Sequence, residues 1–252
     1  MSSGVVDFVK SRKTDSVTAE VAHEFADKWG PRPAYALGID TTSAVGSLAL
    51  AEGDTVIEEA MLHSTDGFGH SVFDDIAALL GRRGLRLADI ALFAAAAGPG
   101  SFTGVRVGLT AAKGFAAALG KPAAGIGNLR ALASLGVGRR RAAILDARRG
   151  EIYGAVYDEG GRALSPETLA PFGDWLDALP EEETCFVFTD VTSFAAVLDA
   201  SRFAGAARIT ANRGLAGAVA RLAWGQAKDP ALLDANYVRK ADAELAWVDR
   251  RA

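Results

Sequence analysis

Two stretches carry residue types that could do chemistry. The first is Gly38-Ile39-Asp40-Thr41-Thr42-Ser43, where an aspartate closes an apolar run and hydroxyl residues follow in a tight turn. Asp40 could hold Mg²⁺ while Thr41 and Ser43 donate to a phosphate. The same residue types also bond their own backbone in Asx and ST turns, and spacing alone favours that local role. The second stretch is Gly98-Pro99-Gly100-Ser101-Phe102-Thr103-Gly104, set between Ala94–Ala97 and the helical stripe Val105, Leu109, Ala112, Ala116 and Leu119. A strand thus feeds a Gly-rich turn that opens a helix, where converging N–H groups and the positive end of the dipole could cradle a phosphate. It is not a Walker loop, since no Lys-Ser/Thr pair follows the glycines. A close strand-to-helix crossover with Ser101 or Thr103 as N-cap accounts for it equally well.

Other candidates depend on the helix that this turn opens. Gly104, Gly108, Ala111 and Ala118 keep a second face of it small, which suits close approach by another helix. The Val105/Leu109 stripe already serves packing on the sheet. The small face is therefore expected to meet either the helix carrying Val72, Ile76 and Leu79 or another chain, with a partner interface preferred. Arg106 and Lys113 share one face; they read as a solvated face or as contacts to an anion or a partner carboxylate. Arg139-Arg140-Arg141 reads as an interdomain linker, with RNA contact the lesser reading. His23, His63 and His70 show no metal-ligand spacing, so no metal site is expected. His70-Ser71 reads as a helix N-terminal cap. No Gly-x-Ser-x-Gly elbow is present, and the single Cys185 lies in the apolar run Cys185-Phe186-Val187-Phe188, as a buried strand residue would.

These residues sit in a chain of 252, half of it hydrophobic, with a formal net charge of −4. Such a composition excludes a disordered tail, and its mild acidity lacks the basic field of a free-standing nucleic-acid binder. No apolar run is long enough to span a membrane and no export signal leads the sequence, so a cytoplasmic protein is expected. Residues 1–33 form an extension in which Val17, Val21, Phe25 and Trp29 predict an amphipathic helix. The first lobe, 34–138, reads as strands Tyr35–Ile39, Val45–Ala51 and Thr55–Leu62, a helix at Val72–Leu80, strand Ile90–Ala95, helix Phe102–Leu119, strand Pro122–Ile126 and helix Leu129–Leu135. The second lobe, 139–252, repeats the order more faintly. Its strands are Ala142–Asp146, Ile152–Asp158, Arg162–Leu164, Cys185–Thr189 and Ala207–Thr210; its helices are Phe172–Leu179, Phe194–Ala200 and Leu215–Gln226. An α/β fold of two lobes, each βββαβαβα with a mixed sheet and flanking helices, is predicted.

The first motif, residues 98–109, Asp146-Ala-Arg-Arg-Gly-Glu-Ile-Tyr153 and Asn236-Tyr237-Val238-Arg239 together resemble the TsaB (YeaZ) family. The resemblance implies an actin/hsp70/sugar-kinase architecture and a non-catalytic subunit. That subunit would pair with TsaD in forming the threonylcarbamoyl group on adenosine 37 of tRNAs reading ANN codons. It implies a pairing surface on the helices at Val72–Leu80 and Thr103–Leu119, a second copy taking TsaD's place when TsaD is absent, and assembly with the ATPase TsaE. It leaves open an ATP or ADP near the subunit interface and implies tRNA contact only through the complex. The alternative is a small-molecule kinase using Asp40 and the 98–104 turn, with Thr41, Ser43, Gly98, Gly100, Ser101 and Arg106 around the anion. Against it stand Arg148 and Arg149, where a working kinase of this architecture has small residues, and the separation of Gly214 from Gly217. The extension at 1–33 departs from the family.

Overall fold

A computed structural model describes residues 35–64, 67–211, 214–236 and 238. The amphipathic helix predicted around Val17–Trp29, together with Tyr237 and Arg239, lies outside the described residues. The first lobe runs β1 (Tyr35–Asp40), β2 (Val45–Glu52), β3 (Thr55–His63), α1 (Val72–Arg82), β4 (Ile90–Ala96), α2 (Phe102–Leu119), β5 (Ala123–Ile126) and α3 (Asn128–Ala133). The second runs β6 (Arg140–Arg148), β7 (Glu151–Asp158), β8 (Thr168–Pro171), α4 (Phe172–Ala178), β9 (Cys185–Phe188), α5 (Ala195–Asp199), β10 (Arg208–Thr210) and α6 (Ala216–Leu222). The βββαβαβα order therefore recurs. The two sheets are ordered β3-β2-β1-β4-β5 and β10-β9-β6-β7-β8, each with an antiparallel meander on one side and parallel strands on the other.

Strands apolar on both faces demand cover on both. In the first sheet Leu37, Ile39, Leu48, Leu50 and Phe93 pack under α1 and α2. The opposite face carries Ala36, Ala51, Ala94, Ala96 and Ala124, which meet Leu129 and Leu132 of α3, Val219 of α6, and Ala143, Ala155 and Val187 of the second sheet. Beyond that sheet, Ile144, Ile152, Phe186 and Phe188 pack against Phe172, Trp175 and Leu176 of α4 and Leu198 of α5. The layers are thus helix, sheet, helix, sheet, helix, and the middle layer of α3 and α6 is shared by both lobes. Alanines on the inner face of the first sheet keep it thin enough for that shared layer.

Three local expectations are corrected. The third strand of the second lobe forms at Thr168–Pro171, not at Arg162–Leu164. Gly161, at a positive φ of 80°, reverses the chain, and residues 162–164 retain only the single bridge Tyr157↔Ala163. Pro166 offers no N–H, so ladder pairing with β7 resumes at Thr168. Arg139-Arg140-Arg141 is not a linker, because Arg140 and Arg141 begin β6 and Arg141 is buried, its Nε donating to the Gly138 carbonyl. Ser71 stands at the N-cap of α1 without a capping side-chain bond. Ser101 does cap α2, accepting from Gly104 N–H at 3.2 Å. Cys185 is buried in β9, and no helix among the described residues is long and apolar enough to cross a membrane.

The closeness of α6 to β1 can be tested at Gly38, where a Cβ would run into the Ala216 carbonyl oxygen and stand 3.0 Å from the Ala220 Cβ. Gly38→Ala is expected to lower stability by about 1–3 kcal/mol in urea unfolding. Gly205→Ala, at a position open to solvent with nothing within 4 Å, should stay within about 0.5 kcal/mol of the parent.

Candidate functional site

Strands β1, β4 and β5 run parallel in the first sheet and β6, β9 and β10 in the second, and the carboxyl ends of such strands are the usual place for a ligand. Asp40 closes β1 there and is buried. Its Oδ1 accepts from Thr42 N–H at 3.0 Å and from Thr42 Oγ1 at 2.7 Å, the Asx turn that the sequence allowed. Its Oδ2 accepts from the Leu215 N–H at 3.2 Å, across the lobes. The next two amides of α6 are met in the same way: Ala216 N–H donates to Ser47 Oγ of β2 at 3.0 Å, and Gly217 N–H to Glu59 Oε1 of β3 at 3.1 Å. Side chains from three neighbouring strands of one lobe therefore cap the helix of the other, with two carboxylates at the positive end of its dipole. Ser47 and Glu59 escaped the sequence reading because their partners are about 160–170 residues away; only the unusual polar residues inside apolar β2 and β3 hinted at them.

The Gly-rich turn is equally engaged. Ser101 N–H donates to the Thr42 carbonyl at 2.7 Å, and Thr41 Oγ1 donates to the Gly104 carbonyl at 2.7 Å. Asn128, buried at the start of α3, binds the turn from the other side. Its Oδ1 accepts from Gly98 N–H at 3.0 Å, and its Nδ2 donates to the Pro99 carbonyl at 3.0 Å and to Thr42 Oγ1 at 2.7 Å. A Cβ on Gly100 would stand 2.7 Å from the Thr42 carbonyl oxygen, and one on Gly104 would overlap that of Thr41. These glycines admit neighbouring backbone rather than a phosphate. Ser43 is exposed and its Oγ donates to the Val45 carbonyl, while Arg106 stacks its guanidinium over the Phe102 ring at 3.7 Å.

On the second lobe the matching hairpin is Asp146–Glu151. Arg148 N–H donates to Asp146 Oδ1 at 2.7 Å, and Arg148, Arg149 and Gly150 have φ of 72°, 57° and 79°. Left-handed backbone destabilises a non-glycine residue by roughly 1–2 kcal/mol, so two successive arginines there are a strained choice. Beside the capped end of α6 an open groove of about 640 Å³ runs between β3 and β10, lined by Val56, Leu135, Ile209 and Ala218 with Asp54, Glu59 and Arg221. Two carboxylates face one guanidinium in it. A nucleotide's phosphates do not fit these surroundings: α6 is closed by Asp40, Ser47 and Glu59, the Gly98, Ser101 and Gly104 amides bond within the protein, and two arginines stand at the hairpin tip. Among the described residues no group of three His, Cys, Asp or Glu is placed to hold a metal ion.

A second tie lies at the carboxyl-terminal segment. Asn236 N–H donates to the Ala97 carbonyl, and its Nδ2 donates to Glu167 Oε2 at 2.7 Å; Glu167 Oε1 also accepts from Tyr157 OH at 3.0 Å. Burial and the neighbouring Glu167 carboxylate push the Tyr157 hydroxyl above the usual phenol range, so it remains a donor. Lys113 donates to the Leu233 carbonyl and so holds this segment on α2 rather than binding an anion.

The partner-facing residues require the main correction. Val72, Ile76, Leu79, Gly104, Gly108 and Ala111 are buried within the first lobe. Gly104 and Gly108 seat α2 on its own β1 end: a Cβ on Gly108 would stand 2.9 Å from Thr41 Oγ1 and 3.6 Å from Ile39 Cγ2. Gly104, Gly108 and Ala111 of the small stripe face inward, as do Val105 and Leu109. Only Ala118 of that set is exposed. The outward faces of the same two helices hold Phe73, Ala77, Ala78 and Gly81 on α1, and Phe102, Thr103, Thr110, Gly114, Ala117 and Ala118 on α2. Phe73 packs edge-on against Phe115 with ring centroids 5.6 Å apart, joining the helices, yet remains 52% exposed; Phe102 is 42% exposed.

Comparison with known proteins agrees with this architecture. A family model described as TsaD, tRNA N6-adenosine threonylcarbamoyltransferase, matches residues 71–223. The TsaB protein of Bacillus subtilis, named for tRNA threonylcarbamoyladenosine biosynthesis, is 28% identical over 231 residues, covering 84% of this chain and 97% of its own. The TsaB protein of Escherichia coli is 36% identical over 141 residues, 53% of this chain and 60% of its own. The solved structure of YeaZ from Pseudomonas aeruginosa superposes with a TM-score of 0.67 at 21% identity, over 81% of this chain and 99% of that one. The fold is of the two-lobed actin/hsp70/sugar-kinase type.

If Asp40 serves as an interlobe cap, its removal is felt in stability. Asp40→Ala leaves buried donors on Thr42 and Leu215 unmet and is expected to reduce unfolding free energy by about 2–3 kcal/mol in urea titration. A surface carboxylate reserved for a metal would leave stability unchanged on removal.

Proposed function

The chain belongs to the family described by the TsaD model, tRNA N6-adenosine threonylcarbamoyltransferase, and from that membership we propose that it is a non-catalytic, TsaB-like subunit of tRNA threonylcarbamoyladenosine biosynthesis. In this reading it works in the cytoplasm, pairs with TsaD, joins an assembly with TsaE, and supports modification of adenosine 37 in tRNAs reading ANN codons. The observation that carries the non-catalytic part is the closure of α6 by Asp40, Ser47 and Glu59. A kinase needs the β1 carboxylate for its metal and a helix end open to phosphate; here each already serves the other. No observation favours the small-molecule kinase.

Pairing is supported by the outward face of α1 and α2. Ala77, Gly81, Thr110, Gly114 and Ala117 offer a low surface on which another helix pair can approach closely, and Phe73 and Phe102 supply aromatic anchors beside it. Nothing lies within 4 Å of the Cβ position of Gly81 or Gly114. In the absence of TsaD the same face would take a second copy of this chain.

Gly114→Arg and Ala77→Arg are expected to weaken association with co-expressed TsaD at least about 100-fold, read by size-exclusion chromatography and calorimetry. Neither should lower the melting temperature of the isolated chain, since Gly114→Arg improves helix propensity by up to about 1 kcal/mol. Undiminished association would overturn the assignment of this face. Depletion in the source organism should abolish threonylcarbamoyladenosine in its tRNA by nucleoside mass spectrometry, and retention would contradict the assigned pathway.

A further inference from the structure

We propose that the β6–β7 hairpin tip, Arg148-Arg149, contacts the phosphodiester backbone of an RNA. The proposal rests on the tRNA-modification reading above and extends it, because that reading brings tRNA in only through the partner.

Six other arginines of the described structure are paired with carboxylates. Arg82 and Arg83 share Glu58, Arg86 pairs with Asp89, Arg140 with Glu182, Arg162 with Asp158 and Arg208 with Asp199. Arg202 closes the carbonyl end of α4. Arg148 and Arg149 are different: both are exposed, they are adjacent, and no carboxylate of the described residues forms an ion pair with either. They also occupy backbone positions at φ 72° and 57°, where Asn or Gly would sit without strain. Asp146, by accepting the Arg148 N–H, and Phe172, by donating to the Gly150 carbonyl, hold the tip in that shape. A conformation so held with the wrong residues for its own stability points to a use for those residues.

The chemistry of the pair favours phosphate. A guanidinium presents a planar fork of donors that matches phosphate oxygens, and two on one tip can take successive phosphates. A protein partner would need an apolar core to its interface. None of the large apolar side chains that the chain exposes lies on β6, β7, β8 or α4. The tip stands at the carboxyl ends of β6 and β9, on the edge equivalent to that where β1 ends in Asp40. An overall charge of −4 makes the hairpin a local contributor rather than a free-standing RNA binder.

The test uses the complex of this chain with TsaD and unmodified tRNA at stepped salt concentrations. Arg148→Asn with Arg149→Asn keeps residues that accept a left-handed backbone, so the melting midpoint should equal or exceed that of the parent. Affinity for tRNA at low salt should fall about tenfold, and the slope of log K against log salt should shrink by about 1.8, the value for two phosphates. Arg148→Lys with Arg149→Lys should restore most of the slope. Unchanged affinity and slope in the Asn variant would overturn the proposal. So would an unchanged tRNA affinity accompanied by weaker binding to TsaD, which would mark the tip as a contact for an acidic protein surface. If the parent complex forms but binds no tRNA, the reading on which the proposal rests fails with it.

Discussion

The two lobes are joined by a polar contact that elsewhere would be a ligand's place. Three successive amides at the start of α6 need acceptors, and Asp40, Ser47 and Glu59 supply them from three strands of the opposite sheet. Buried N–H groups cannot be left unpaired without loss of stability comparable to a hydrogen bond or more. The register of β1, β2 and β3, the thin alanine face beneath α6 and the absence of a side chain at Gly38 all serve to bring donors and acceptors together. Once they meet, the opening between the sheets has neither a free carboxylate at β1 nor a free helix end. Asn236, reaching from Ala97 to Glu167, ties the lobes a second time at the other side of the middle layer.

In the proposed reading, a molecule whose internal site is filled by itself acts through its outside. The described structure offers two unlike surfaces for that purpose. One is the shallow, small-residue face of α1 and α2 with Phe73 and Phe102 at hand, suited to a broad helical contact. The other is the narrow arginine tip between β6 and β7, suited to point contacts with anions. They lie on different lobes, so a partner protein and an RNA could be held at once.

Much of this was legible from the amino-acid order, because alternation and helical spacing mark elements wherever one face or both are buried. The strands of the first lobe and α2 fall within a residue or two of where their apolar runs place them. The third strand of the second lobe was not, since Thr168–Pro171 is short, half-buried and paired only after a glycine reversal. The Asx turn at Asp40 and the Ser101 cap were readable because their partners are two or three residues away. Glu59, Ser47 and Asn128 were not, because their bonds span the tertiary structure. Gly104 and Gly108 show the reverse difficulty: small residues on a helix reveal that something comes close, and here it is the helix's own strand end at Thr41 rather than another chain.

Amide hydrogen exchange at Leu215, Ala216 and Gly217, with and without Mg-ATP, tests most directly whether the lobes are closed on themselves. All three are expected to exchange only by global unfolding, at rates that millimolar Mg-ATP leaves unchanged. Rapid exchange in the free protein that slows on addition of Mg-ATP would contradict this closure, by showing a helix end that waits for a nucleotide.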